Sequence, residues 1–395
     1  MTGRDVSERE PLVERMRSFG ETIFAEMTAL AIRLNALNLG QGFPDTDGPA
    51  AMLKVASDAI LGGVNQYPPG PGMPELRAAV SRHRRQRYGL EYDPASEVFI
   101  TVGATEAISA TVLATCERGD EVVVFEPFYD SYPAVIALSG ATRRAVTLRA
   151  DGPTGRFTFD PDELRAAIGP RTRMILINSP HNPTGTVFTR EELALVAELC
   201  VEHDLYAVTD EVYEHLTYDG AEHLPLALFP GMRERTFSIS SAGKTFSVTG
   251  WKTGWVCAPP ELITAVQTVK QFTTFTANGA LQLAVAHGLD HELDWVHAQR
   301  SALERKRDRL ADGLTAAGFD VHRPAGTYFV QADVRPLGFD DGTAFARSLP
   351  ERAGIVAIPS SVFYDDVKAG RPYVRFAFCK KDEVIDEAVG RLARL

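Results

Sequence analysis

The sequence predicts an α/β protein: a mostly parallel sheet sandwiched by helices, with a smaller α+β domain built from both ends of the chain. Three observations carry that prediction. From about residue 97, short β-rich runs alternate with amphipathic helical stretches, the pattern of strands joined by crossover helices. A charged stretch over residues 291–317 reads as one extended helix, with Leu303, Leu310 and Leu314 as its apolar positions. After it, residues 328–332 and 373–378 look like strands of a second, smaller layer. A chain of 395 residues holds one large or two medium domains. The division expected is 1–48 packing with the small domain, 49–290 as the large domain and 291–395 as the small one.

Taken in order, the β-rich runs are 98–102, 121–126, 144–148, 173–178, 206–210 and 236–240. Helical stretches between them include 106–116, 161–167 and 190–203. Thr189 precedes the last of these and Glu192 follows three residues on, a capping-box signature. In open sheets of this kind ligands gather beyond the carboxyl ends of the strands. The residues just after each run are therefore the informative ones.

Composition narrows the class of function. The chain is 45% hydrophobic and 24% charged, which excludes a disordered chain, a collagen-like fibre and a disulfide-stapled module. A net charge of −11 without a basic tract argues against nucleic acid or an anionic membrane as partner. Cys116, Cys200, Cys257 and Cys379 are far apart with no CxxC, so reduced thiols are expected. Residues 1–11 are polar with no apolar targeting core, and no run approaches the roughly 20 apolar residues of a spanning helix. A cytoplasmic location is the default expectation. Of nine histidines only His287 and His291 are four apart, Gly288 stands where a zinc-protease helix carries glutamate, and no cysteine is near, so no metal site is expected.

Only eight of the 41 basic residues are lysines, and none lies between Lys54 and Lys244. Lys244 and Lys252 then arrive eight apart in a segment of Ser, Gly, Thr and Trp. The strand ends read Gly103-Ala104-Thr105, Glu126-Pro127-Phe128, Asn182 within Ser179–Gly185, Asp210 with Tyr213, and Ser240-Ser241-Ala242-Gly243-Lys244. Each is weak alone: a lone strand-end carboxylate is more often a cap or a surface ion pair. Together they supply every group that pyridoxal 5′-phosphate needs. Lys244 offers an amine to its aldehyde. Asp210 suits its pyridine nitrogen, whose protonation lets the ring accept electrons. Asn182 and Tyr213 can bond its 3′-oxygen. Ala104 and Thr105 open a helix where Ser241 and Lys252 add a hydroxyl and a cation for its phosphate, and Phe128 can stack on the ring. Glu211 follows Asp210 and by alternation points to the opposite face. Arg375 sits in the apolar run Tyr373-Val374-Arg375-Phe376-Ala377-Phe378, where a charge is usually paired or functional.

The segments NSPHNPTG, TDEVYEHL, SSAGKTFSVTGWKTGW and YVRFAFCK resemble the fold-type I pyridoxal-phosphate enzymes, and among them the class I/II aminotransferases. The resemblance covers the chain from about residue 18 to its end. NLGQGFP is similar to the entry motif of the kynurenine/glutamine/methionine aminotransferase branch. NLGQGFPDTDGP, NQYPPGPG and TVGATEAI look most like actinobacterial N-succinyldiaminopimelate aminotransferases. The resemblance implies an α-amino transfer from an amino acid to a 2-oxo acid by a ping-pong scheme. N-succinyl-LL-diaminopimelate with 2-oxoglutarate is one candidate pair. It gives Lys244, Asp210 and Tyr213 catalytic roles, and sends Tyr67 to the phosphate of a neighbouring subunit in a homodimer with shared sites. Arg375 would clamp the substrate α-carboxylate with help from Asn182 and the Gly40 backbone. Lys252 stands where many relatives have arginine, keeping the charge without the bidentate fork. Residues 19–24 and 271–278 are expected to wall the substrate pocket. The alternatives are another transaminase of this branch, a carbon–sulfur β-lyase on the same scaffold, and a pyridoxal-phosphate-binding transcription regulator. The last would need an added basic domain.

Overall fold

The computed structural model describes residues 11–20, 22–151 and 155–395. The polar stretch at residues 1–10 lies outside the described residues. A seven-stranded sheet dominates the larger part of the molecule. Its strands are Val98–Thr101, Glu121–Glu126, Thr142–Thr147, Thr172–Asn178, Tyr206–Asp210, Thr236–Ser241 and Gly254–Cys257. In space they run in the order of first residues 98, 254, 236, 206, 172, 121, 142. Glu121–Glu126 is buried at every position, as a strand covered by helices on both faces must be. The six runs read from the sequence are all strands, two with the ends expected and four with ends moved by one or two residues.

The seventh strand, Gly254–Cys257, was not legible. It lies antiparallel between Val98–Thr101 and Thr236–Ser241. Four residues in a tract rich in Gly and Trp carry too little alternation to announce a strand. Its place has a strict steric condition. A Cβ built on Gly254 would stand 2.6 Å from the backbone carbon of Gly103 and 2.8 Å from the nitrogen of Ala104.

Thr189 caps helix Arg190–Glu202 with the full reciprocal capping box to Glu192. The charged stretch predicted as a single helix over 291–317 is one helix, beginning two residues later and ending one residue earlier. Helix Gly279–His291 ends, Glu292 turns, and helix Leu293–Ala316 follows with 24 residues. Leu303, Leu310 and Leu314 are buried along the second helix. The smaller sheet holds Asp320–His322, Phe329–Asp333, Tyr373–Ala377 and Ile358–Pro359 in that spatial order.

The N-terminal segment reaches the C-terminal elements by hydrogen bonding. Leu37 and Asn38 pair in parallel with Ile355 and Val356. One buried cluster joins Met27, Ala31 and Leu39 to Leu310, Phe345, Phe376 and Ile385. The same cluster takes in Val212, Tyr213 and Leu216, so the residues just after Asp210 pack where the two cores meet. Val296, near the start of the long helix, packs instead with Trp255 and Phe246. All four cysteines are free and buried. Among the described residues no helix is long and apolar enough to cross a membrane.

Gly254→Ala tests the strand packing. A methyl aimed at the backbone of Gly103 has no flexible neighbour to displace, so the variant should lose about 1–3 kcal/mol. Denaturant unfolding would measure it, and an unchanged midpoint would show that the strand can yield.

Candidate active site

The carboxyl ends of the central strands open on two adjoining cavities. The inner one, of about 140 Å³, is lined by Ala104, Thr105, Asp210, Ser241, Lys244 and Lys252 among others. The outer one, of about 190 Å³, includes Phe24, Gln41, Phe329 and Arg375. Tyr129, Asn182, Tyr213 and Lys244 border both.

Asp210 ends strand Tyr206–Asp210 and is buried. Its Oδ2 accepts the Tyr132 hydroxyl at 2.6 Å and its Oδ1 the Val212 N–H at 3.3 Å. Burial pushes the carboxyl up to about 6, although Tyr132, the Val212 amide and Lys244 all favour the charged form. Asn178, at the end of the neighbouring strand, donates to the Asp210 carbonyl at 2.8 Å and accepts the Asn182 N–H at 2.7 Å. One amide side chain thus sets two strand ends relative to each other.

Lys244 lies in the four-residue helix Ala242–Thr245 after strand Thr236–Ser241. Its Nζ donates to the Gly42 carbonyl at 3.3 Å. It stands 5.4 Å from the ring centre of Tyr328 and 5.9 Å from that of Tyr213. Burial lowers the ammonium to about 8, with Cys379 and Asp210 opposing the shift and Arg375 and Lys252 adding to it. Near neutral pH a useful fraction of this amine is unprotonated and nucleophilic.

A third buried charge borders the outer cavity. Arg375 is 2% exposed, and burial lowers its guanidinium to about 10. It donates to Asn182 Oδ1 and to the Gly40 carbonyl, each at 3.1 Å, and lies 4.0 Å from the ring centre of Phe329. Its Nε has no partner, and no carboxylate forms an ion pair with it among the described residues.

Beside the inner cavity, Gly103 has φ +74 and begins helix Gly103–Thr115. The first amides of a helix have no intrahelical partners and suit an anion. A Cβ on Gly103 would come 3.4 Å from Lys252 Nζ, so the lysine cation stands over this helix start. Buried carboxylate, buried amine, helix amides with a cation, and a buried guanidinium that lacks an ion-pair partner among the described residues fit pyridoxal phosphate with an amino-acid substrate.

The structure gathers Ala104, Thr105, Asn182, Asp210, Tyr213, Ser241, Lys244 and Lys252 around the inner cavity, and brings Arg375 and the Gly40 carbonyl together. It corrects one position. Phe128 is buried with Val124, Val135 and Ile136 in the core, its N–H bonded to the Phe363 carbonyl at 2.8 Å. Tyr129 borders the cavities instead. Successive residues at the strand exit face opposite ways, so choosing Phe128 missed the cavity by one position. Tyr67 is 82% exposed, against the Phe275 ring at 5.4 Å, and touches neither cavity of its own chain. Of the segments expected to wall the pocket, 19–24 supplies Phe24, while 271–278 contributes no lining residue to these two cavities. Tyr132, Asn178 and Tyr328 were not singled out from sequence. Tyr129 and Tyr132 are three apart entering a helix, a spacing that could have suggested a shared face.

Residues 35–392 match the family described as aminotransferase class I and II. The chain is 55% identical to the probable N-succinyldiaminopimelate aminotransferase DapC of Mycobacterium tuberculosis, over 97% of this chain and 98% of that protein. It is 36% identical to the methionine aminotransferase of Escherichia coli, over 98% and 99%. The solved structure of N-succinyldiaminopimelate aminotransferase from Mycobacterium tuberculosis superposes with a TM-score of 0.94, at 55% identity, over 97% of this chain and 99% of that one.

The burial of Asp210 has a measurable consequence for the cofactor-free chain. Its folded pKa, about 6, exceeds the ordinary 3.8. The stability it contributes is present below the ordinary value and is lost as pH rises through 3.8 towards about 6. Asp210→Asn removes this dependence. Thermal or denaturant unfolding should show the Asn variant gaining on the wild type by roughly 2–3 kcal/mol between about pH 4 and pH 7. A difference constant with pH would refute the assignment.

Proposed function

The chain belongs to the class I and II aminotransferases and is a pyridoxal-phosphate-dependent enzyme, and we propose that Lys244, Asp210 and Arg375 form its reaction centre. The observation that carries this reading is Arg375, a buried guanidinium without an ion-pair partner among the described residues, bordering the same cavity as the buried Lys244 amine.

Bound pyridoxal phosphate supplies an aldehyde for an amine and a protonated ring that takes up the electron pair left at the substrate Cα. Lys244 would hold the cofactor and, once the substrate amine takes that place, its freed Nζ would carry the Cα proton to the former aldehyde carbon. Asp210 would meet the ring nitrogen, where a cation restores the charge state that burial opposes. Asn182 and Tyr213 would bond the 3′-oxygen. Ala104, Thr105, Ser241 and Lys252 would hold the phosphate, and Tyr129 would face the ring. Arg375 would take the α-carboxylate in a planar two-point grip, exchanging its bonds to Asn182 and Gly40. The carboxylate is common to amino acid and oxo acid, so one clamp serves both half-reactions.

For the substrate pair we propose N-succinyl-LL-diaminopimelate with 2-oxoglutarate. Its support is the 55% identity over nearly the whole chain to the Mycobacterium protein so described. Phe24, Phe43, Tyr129 and Phe329 line the outer cavity, an apolar wall suited to a methylene chain. A cytoplasmic location accompanies this reading and is checked by cell fractionation. A homodimer with shared sites completes it. Tyr67 is exposed, Phe272 is 83% and Leu61 84% exposed, and such apolar groups suit burial against a second copy.

Borohydride treatment of the yellow holoenzyme should fix the cofactor on Lys244; a label on another lysine would reject the assignment. A donor panel with 2-oxoglutarate, including the N-succinyl diamino acid, kynurenine, methionine and glutamate, should show the first with the highest kcat/KM. Arg375→Lys should lower kcat/KM for every donor by about 10-fold or more, without reordering them. A reordered panel would refute the common clamp.

Light scattering should give twice the chain mass, and Tyr67→Phe should weaken cofactor retention. A fully active monomer would refute shared sites.

A further inference from the structure

A buried cluster of charge stands apart from both cavities. Arg84, on helix Pro74–Tyr88, is 1% exposed. Its Nη1 donates to Glu211 Oε2 at 2.6 Å and lies 3.4 Å from Glu214 Oε2. Glu211 also accepts the Thr209 hydroxyl at 2.7 Å. Glu214 accepts the Ser240 hydroxyl on one oxygen at 2.6 Å and the Tyr88 hydroxyl on the other at 2.7 Å. Neither glutamate lines either cavity, in keeping with the opposite-face reading of Glu211.

The position of these bonds in the chain gives them consequence. Asp210 lies between Thr209 and Glu211, which are bonded to each other. Tyr213 lies between Glu211 and Glu214, both held by Arg84. Ser240 immediately precedes Ser241, and the Glu211 N–H donates to the Ile239 carbonyl at 2.8 Å. Each donor comes from the helix 74–88 or from the strands that end at Asp210 and Ser241. The segment that presents Asp210 and Tyr213 is therefore tied at two of its residues, Glu211 and Glu214, to two other elements.

The same region holds His83, His215 and His223. The Nε2 atoms of His83 and His215 are 3.1 Å apart, and His223 Nε2 is 3.4 Å from Glu211 Oε2. Two groups of side chains, His83 with Glu214 and His215, and Glu211 with Glu214 and His223, have atoms close enough to hold a metal ion. The bonds already made argue for a hydrogen-bonded network instead: both Glu214 oxygens accept hydroxyls, the two histidine nitrogens are within hydrogen-bond distance, and a guanidinium occupies the centre.

We propose that Arg84, Tyr88, Thr209 and Ser240 are positioning residues for aminotransfer, fixing Asp210 and Tyr213 against the cofactor through Glu211 and Glu214. The proposal rests on the reading that Asp210 and Tyr213 contact the cofactor ring. Breaking a buried ion pair by removing one partner costs several kcal/mol, so Arg84 variants are poor probes. Hydroxyl deletions are milder.

The test uses holoenzyme carrying Ser240→Ala, Tyr88→Phe or both, with Ser240→Thr as the conservative control. The readouts are the pH titration of the cofactor's visible absorbance, kcat, KM for the amino donor, thermal midpoint and metal content. The double variant should displace the absorbance midpoint by about half a pH unit and lower kcat about 5-fold or more, with KM changed less than about 2-fold. Ser240→Thr should restore the wild-type midpoint. A lower thermal midpoint with the titration and kcat unmoved would make the network structural only and overturn the proposal. So would a stoichiometric metal whose removal reproduces the variants' effects. A wild-type enzyme without a cofactor absorbance band would overturn the cofactor reading and this proposal together, whereas a wild-type band with the variants' titration and kcat unmoved overturns the proposal alone.

Discussion

Desolvation of three charges governs this molecule. Asp210, Lys244 and Arg375 are brought out of water at one place, and none has an ion-pair partner within 4.0 Å among the described residues. Each is shifted towards its neutral form by burial first, and each is only partly compensated by hydrogen bonds. Folding alone does not repay such a cost. The proposed ligands, a cofactor with a ring cation and an aldehyde and a substrate with a carboxylate, would do so by meeting each of the three groups with its complement. The instability of the empty arrangement and its affinity for cofactor and substrate are the same free energy seen from two states.

The scaffold makes this possible by dividing the labour. Strand ends deliver Asp210, Asn178 and the residues before Lys244 at fixed spacings, because parallel neighbours lie in register. Asn178 and Tyr132 then fix the aspartate locally. The guanidinium arrives from a different sheet, on strand Tyr373–Ala377, and the Gly40 carbonyl that receives it comes from the N-terminal segment. The Lys244 amine and the Arg375 guanidinium, the proposed base and clamp, thus sit beside different buried clusters. Their separation depends on how the cluster containing Met27, Tyr213 and Phe376 packs. The charged network of Arg84, Glu211 and Glu214 braces the same segment from another direction.

Much of this was legible along the chain because it is local. Strand runs show as short apolar stretches between helical ones, and the capping box at Thr189 and Glu192 is a contact over three residues. The lysine-free interval before Lys244, and an arginine within an apolar strand, mark buried charges without any knowledge of their partners. What was missed is a matter of direction or distance. Whether Phe128 or Tyr129 faces the cavity turns on one step of alternation at a strand exit. Gly254–Cys257 is a strand because one neighbour on either side pairs with it, and four residues cannot record that themselves.

The sequence by itself determined the alternation of strands and helices, the residue types needed for one cofactor, and the order in which they appear. Those properties follow from periodicity and chemistry over a few residues. Only the tertiary structure decided that Tyr132 bonds Asp210 across 78 positions, that Asn182 and Gly40 hold Arg375, and that Arg84 reaches Glu211 across 127. Each of these is a directional hydrogen bond made in the interior. Its partner is chosen by which donor and acceptor groups the packed cores bring within about 3 Å, a condition that no short stretch of chain can encode.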